Sequence, residues 1–256
     1  MKLLSILLAG AALSVSSAAA NAEVRFGVMN EAYPPFFTKD ASGKWVGWEI
    51  ELMDAVCAEM KETCSIVDMS WDGLIPGLEA KKFDVIWSSM SITDERKKTI
   101  DFTGKYYNTP SKLIGAKDGE TGASPDDVAG KTIGIQVSTI QSDYYKKYFA
   151  DKASENTYTT LDEAFQDLSA GRIDYVFGDS IPLSEFLKSD FGKDCCEDKG
   201  NVKDDPAILG SGIGGGLRKD DHALLEKLNA AIAAVRANGK YAEISKKYFD
   251  FDPYGE

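Results

Sequence analysis

Three short stretches of this 256-residue sequence carry residue types that together could hold both ends of a zwitterion. The first is Ser88-Ser89-Met90-Ser91-Ile92-Thr93-Asp94-Glu95-Arg96. Hydroxyls at a strand end, followed within a turn by an arginine, can meet a carboxylate with a guanidinium fork and backbone N–H groups. The second is Val137-Ser138-Thr139, where a strand ends and a helix opens, and free N–H groups favour an anion. The third is Asp179, which closes the strand Ile173–Gly178 and could take an ammonium. Singly, such Ser, Thr and Asp residues are ordinary helix caps. Their joint placement at strand ends, where open α/β sheets present a ligand crevice, makes them a set.

Other chemistries are poorly supplied. The single histidine, His222, follows Lys219-Asp220-Asp221 at a polar helix start and reads as a solvated surface residue. One histidine excludes a Ser-His-Asp hydrolase and a histidine-rich metal centre. No GxxxxGK[ST] phosphate loop occurs. Gly210-Ser211-Gly212-Ile213-Gly214-Gly215 matches GxGxxG, but a proline-containing loop precedes it and the strand-like Gly216-Leu217-Arg218-Lys219 follows. It reads as a return crossing or strand edge where backbones approach closely, not as a dinucleotide site. No catalytic residue, cofactor or metal is expected.

The elements that must position these groups alternate in type. Val24–Met29 reads as a strand, Glu49–Glu62 as a helix, Cys64–Trp71 as a strand, Asp72–Lys82 as a helix and Phe83–Met90 as a strand. A second series runs through strand Lys131–Val137, helix Ile140–Asp151, strand Asn156–Thr160, helix Leu161–Ala170 and strand Ile173–Phe177. Thr160 and Glu163 have the spacing of a capping box. Two such βαβ series, joined by Tyr106–Lys117, predict an α/β chain with two lobes of mainly parallel sheet. The helices Asp220–Asn238 and Tyr241–Phe249, broken at Gly239, have no strands of their own and should cover a lobe already formed.

The net charge of −12 argues against a nucleic-acid surface. Residues 1–22 read as a cleavable signal peptide, with Lys2 ahead of the apolar Leu3–Val15 and an A-x-A pattern at Ala20-Asn21-Ala22. Export permits disulfides, and a Cys57–Cys64 bridge could pin a helix to the following strand. Cys195 and Cys196 are adjacent; a bridge between neighbours is strained and a zinc site needs more ligands, so that pair stays unassigned.

Ala32-Tyr33-Pro34-Pro35-Phe36, Gly47-Trp48-Glu49-Ile50-Glu51-Leu52 and Trp71-Asp72-Gly73-Leu74-Ile75-Pro76 add a further pattern. With Ser88 to Thr93, Leu217-Arg218-Lys219-Asp220 and Lys246-Lys247-Tyr248-Phe249-Asp250, they resemble the bacterial periplasmic solute-binding proteins for polar amino acids. The resemblance covers nearly the whole mature chain and is nearest the lysine/arginine/ornithine- and histidine-binding branch, whose cysteine spacing matches Cys57 and Cys64.

That resemblance implies a type II periplasmic-binding-protein fold, two lobes joined by a two-crossing hinge. The first lobe would take residues 23–110 and 206–256, and the second 111–205, with crossings near Asn108–Lys112 and Lys203–Ser211. It implies that Tyr33 and Trp71 sandwich the ligand side chain, and that Ser89, Ser91 and Asp179 hold the α-ammonium. Arg96 and the backbone around Ser91 and Thr139 would hold the α-carboxylate, with Ser88 and Ser138 beside them.

There are departures from the family pattern. Val137 stands where a glycine is common, Ile140 where a polar residue is, and Asn30 where an acid is, with Glu31 displaced by one. Glu49 and Glu51 read as structural. The implied role is capture of a basic amino acid in the periplasm by a monomer that hands it to a membrane ABC transporter permease. Competing readings are a neutral polar amino acid or opine ligand, and a dehydratase-like enzyme on the same scaffold.

Overall fold

Six residues rich in valine and phenylalanine, Val24–Met29, form strand β1, which runs parallel to both β4 (Cys64–Met69) and β5 (Val85–Ile86). The computed structural model describes residues 23–255, so the expected signal peptide lies outside the described residues. Two short strands, β2 (Thr38–Lys39) and β3 (Trp45–Val46), pair as a hairpin before helix α1 (Trp48–Met60). Helix α2 (Leu74–Glu79) follows β4, and β6 (Asp101–Phe102) follows β5.

The chain then builds a second sheet from β7 (Ser111–Ala116), β8 (Thr132–Gln136), β9 (Ser154–Tyr158), β10 (Tyr175–Asp179) and β11 (Cys196–Asn201). Between them lie α3 (Ile140–Tyr148), α4 (Leu161–Ser169), α5 (Ser180–Lys188) and α6 (Gly192–Cys195). Helix α7 (Pro206–Leu209) leads back to the first sheet through β12 (Gly216–Leu217), and α8 (His222–Ala237) and α9 (Lys240–Ser245) end the described chain.

The result is a two-lobed α/β fold. The sheet orders are β4-β1-β5-β12-β6 and β11-β7-β10-β8-β9. Each sheet is mixed: β12 returns antiparallel beside β5 and β6, and β7 is antiparallel to both β10 and β11. The stretch expected merely to join the lobes thus contains β7, an inner strand of the second sheet.

The first lobe is packed around aromatic rings. Trp87 stacks on Tyr106 at 4.3 Å and Phe36 on Tyr107 at 4.6 Å, all four fully buried. Leu228, Ile232, Val235 and Ile244 from α8 and α9 join this core, as the C-terminal helices were expected to do. Gly239 separates α8 from α9 at φ 84°, a left-handed conformation suited to glycine.

In the second lobe, Leu113, Tyr175 and Phe177 face one core while Ile114 and Val176 face another. That alternation is what a sheet covered on both faces requires. Thr160 and Glu163 form the expected capping box of α4.

The strand expected over Phe83–Met90 pairs only at Val85–Ile86. Beyond Trp87 the Ser88 hydroxyl accepts the Met29 N–H at 2.9 Å, and Ser89 turns the chain at φ 54°. The helix expected over Asp72–Lys82 is a 3₁₀ turn, Trp71–Gly73, followed by the short α2.

Cys57 and Cys64 are bridged, joining α1 to β4, and Cys195 is bridged to Cys196 where α6 meets β11. The outgoing and returning crossings are paired at both ends. Tyr106 N and Tyr107 O bond Ile213 O and N, each at 2.8 Å, and Val202 N donates to Ser111 O at 3.1 Å. The glycine run does bring backbones close: a Cβ on Gly210, at φ 87°, would sit 2.5 Å from the Ile92 carbonyl oxygen.

Candidate functional site

The ends of β1, β5, β8 and β10 point into one narrow cavity of about 30 Å³. Tyr33, Trp71, Ser88, Ser89, Ser91, Arg96, Thr139 and Asp179 all line it, so most of the residues singled out from sequence converge there.

Ser89 owes its position to a buried acid. Glu49, fully buried at the start of α1, accepts from Ser89 N at 2.9 Å, from Ser89 Oγ at 2.8 Å and from the Tyr106 hydroxyl. These donors compensate a carboxylate that burial alone would raise in pKa. Glu49 is thus a structural residue, as expected, and it aims the serine turn. Glu51 is equally occupied, by Lys247 at 2.6 Å and Tyr248 at 2.7 Å.

Arg96 opens a 3₁₀ turn, and its guanidinium donates to the Ser91 carbonyl at 3.0 Å and the Ser138 carbonyl at 3.3 Å. It lies 5.4 Å from the Trp71 ring centroid, a cation–π arrangement. Desolvation lowers its pKa to about 10, which leaves it cationic at neutral pH. Trp71 Nε1 donates to the same Ser138 carbonyl at 3.3 Å.

Asp179 faces it from the end of β10. Its two oxygens accept from the Tyr33 hydroxyl at 2.6 Å and from Gln141 Nε2 at 3.0 Å. Burial raises its carboxyl pKa, opposed by those two hydrogen bonds and by the charge on Arg96.

Before the turn into α3, strand β8 stops at Gln136, one residue short of the expected Val137. The backbone takes the glycine-favouring conformation at Ser138, φ 60°, and not at Val137. Thr139 is then the cap of α3: its hydroxyl accepts from Ser142 N and donates to Gln136 O at 2.7 Å. The polar side chain turned to the cavity is accordingly Gln141 and not Ile140, although both touch it.

Of the two residues competing for the acid position, Asn30 is exposed, with its backbone N–H on the Met69 carbonyl. Glu31 is half-buried and accepts from Gln136 Nε2 at 3.2 Å. Sequence reasoning missed Gln136, Gln141 and Leu161, which also line the cavity. The two glutamines, five apart and flanking the Ser-Thr pair, were the available signal. The Ser138 side chain is exposed, and its carbonyl serves the site. His222 is exposed at the start of α8, as expected.

A desolvated guanidinium and a desolvated carboxylate thus face one cavity from opposite lobes, beside two aromatic rings. That arrangement suits a small zwitterion.

The profile of the bacterial extracellular solute-binding proteins, family 3, matches residues 24–251. The chain is 43% identical to the L-arginine-binding protein of Pseudomonas aeruginosa, covering 100% of this chain and 99% of that one. It is 40% identical to the histidine-binding periplasmic protein of Escherichia coli, covering 98% and 97%. A solved Salmonella typhimurium periplasmic binding protein, described for its high arginine specificity, aligns with a TM-score of 0.80 at 31% identity. That alignment covers 89% of this chain and 99% of the other.

Proposed function

The chain belongs to the bacterial extracellular solute-binding proteins, family 3, and from that membership we propose that it captures a basic L-amino acid, arginine foremost, for an ABC transporter. Its relatives are binding proteins, and it is a binding protein rather than an enzyme. The carrying observation is that Arg96 and Asp179 face one cavity from opposite lobes.

In this reading the α-carboxylate lies on Arg96 and the backbone around Ser91 and Thr139. The α-ammonium lies on Asp179, with the hydroxyls of Ser89 and Ser91 nearby. Tyr33 and Trp71 flank the side chain. The first lobe takes residues 23–110 and 206–256 and the second 111–205. The protein works in the periplasm as a monomer and hands its ligand to membrane permease subunits.

The ligand must displace bonds that already cross the cleft, Tyr33 to Asp179 and Arg96 to Ser138. Groups held in hydrogen-bonding geometry before capture lose little orientational freedom on it, which favours tight binding. Isothermal titration with arginine, histidine, lysine and glutamine tests the reading. Arginine should bind at least tenfold more tightly than glutamine. Glutamine preference would overturn the basic ligand, and binding of none of the four would overturn amino-acid capture.

A further inference from the structure

Gln141 is buried in the first turn of α3 and lines the cavity beside Asp179. Its amide nitrogen donates twice, to Asp179 Oδ1 at 3.0 Å and to Ser111 Oγ at 2.9 Å. An ionised carboxylate only accepts, which turns the nitrogen of the amide toward it and not the oxygen.

Ser111 is the residue at which the outgoing crossing enters the second lobe. It heads β7, stands opposite Asp179 in the antiparallel register, and its carbonyl accepts the Val202 N–H at 3.1 Å. Beside it, Pro110 O accepts from Ser180 N at 2.9 Å. One glutamine therefore ties the carboxylate of the site to the hinge end of its own lobe.

The two oxygens of Asp179 have donors with different fates. Oδ2 takes the Tyr33 hydroxyl from the first lobe at 2.6 Å, a bond that a ligand must displace. Oδ1 takes Gln141, which shares its lobe, so parting the lobes leaves that bond untouched. A neutral amide also aims the carboxylate without cancelling its charge, whereas a lysine there would occupy the place of the ligand's ammonium.

We propose that Gln141 is a positioning residue for capture: it holds Asp179 in the rotamer that receives the ligand's ammonium, in the open protein as in the closed one, and fastens that carboxylate to the Ser111 end of the hinge. This rests on the amino-acid-capture reading and deepens it. A carboxylate aimed before the ligand arrives loses little rotamer freedom on binding, and the effect of Gln141 on affinity passes through Asp179.

The test is a double-mutant cycle read by isothermal titration with arginine, on the wild type, Gln141→Met, Asp179→Asn and the double variant. Methionine is unbranched like glutamine and brings no N–H donor. Gln141→Met should weaken arginine binding about tenfold or more, the scale of a lost hydrogen bond to a charged group. In the Asp179→Asn background the same substitution should change Kd by less than about twofold. Ser111→Ala is the milder second variant: it keeps the Asp179 bond, frees the other end of the amide, and should weaken arginine by less than Gln141→Met. Thermal melts identify the folded variants.

Unchanged affinity in Gln141→Met, or an equal loss in both Asp179 backgrounds, would overturn the inference while leaving capture standing. Unchanged affinity in Ser111→Ala would overturn the tie to the hinge. If the wild type binds free glutamine and not arginine, the basic-ligand reading falls and the same cycle with glutamine decides the role of Gln141.

Discussion

Tyr33 donates its hydroxyl hydrogen to Asp179 at 2.6 Å across 146 positions of sequence, tying the loop after β1 to the end of β10. A hydrogen bond to a charged group is worth about 1.5–3 kcal/mol. Tyr33→Phe should therefore loosen the two lobes, and small-angle scattering should show a larger radius of gyration for the variant before arginine is added. Saturating arginine should bring both proteins to the same smaller value. Identical profiles without arginine would mean that this bond does not hold the lobes together.

In the proposed reading Arg96 holds the ligand's α-carboxylate. Removing it strands a desolvated carboxylate, a loss of about 3–5 kcal/mol, or roughly two to three and a half decades in Kd at about 1.4 kcal/mol per decade. Arg96→Lys should recover only part of this, since an ammonium lacks the planar fork. Titration calorimetry with arginine reads both, and near-wild-type affinity in Arg96→Ala would remove the residue from the site.

Glu31 also shapes the pH dependence of folding. Its carboxyl titrates near 7 in the folded chain, against about 4.5 when unfolded. Between those values the native state holds the extra proton, so its contribution to stability falls as pH rises from about 4.5 to about 7 and is flat above. Thermal melts at pH 5 and pH 8 should differ less for Glu31→Gln than for the wild type, because burial raises Asp179 and Glu49 too and these remain. Equal differences would show that Glu31 is not the titrating group.

The two disulfides should differ in what they contribute. Cys57–Cys64 closes a loop of 7 positions, and its removal by paired serine substitution should cost about 2–3 kcal/mol in urea unfolding. Cys195–Cys196 spans a single position and constrains almost nothing in the unfolded chain. Paired serines there should shift the urea midpoint far less than at Cys57 and Cys64.

Ser138 stands at φ 60°, and its exposed side chain makes no hydrogen bond that the site uses; only its carbonyl does. Ser138→Gly should raise the melting temperature by an amount corresponding to about 1 kcal/mol, as relief of a left-handed L-residue. Arginine affinity should stay within about twofold if the carbonyl keeps its place. A lower melting temperature would show that the loss of unfolded-state restriction outweighs the strain.

Local chemistry was readable where it is set within about seven positions of sequence. The Thr160–Glu163 box, the Gly239 break and the Cys57–Cys64 bridge are of that kind. That Ser89, Ser91, Arg96, Thr139 and Asp179 would line one cavity was readable because strand ends collect them. What escaped depends on partners far along the chain. The length of β5 is set by Ser88 bonding Met29 and by Ser89 bonding Glu49, 59 and 40 positions away. Strand β7 escaped because Pro110, Lys112 and Gly115 obscure its alternation, and its burial comes from β10 and β11. The left-handed residue escaped because it is a serine, and with it went the facing of Gln141.

The crossings between the lobes form a pair of leaves anchored side by side, at Tyr106, Tyr107 and Ile213 in one lobe and at Ser111 and Val202 in the other. A double-leaf flexure of that kind bends easily about one axis and resists twist and sideways shear. Motion between the lobes is then expected to follow a single arc. Arg96, Trp71 and Tyr33 would keep their registration with Ser138 and Asp179 throughout, so that the jaws meet on the same teeth at every closure.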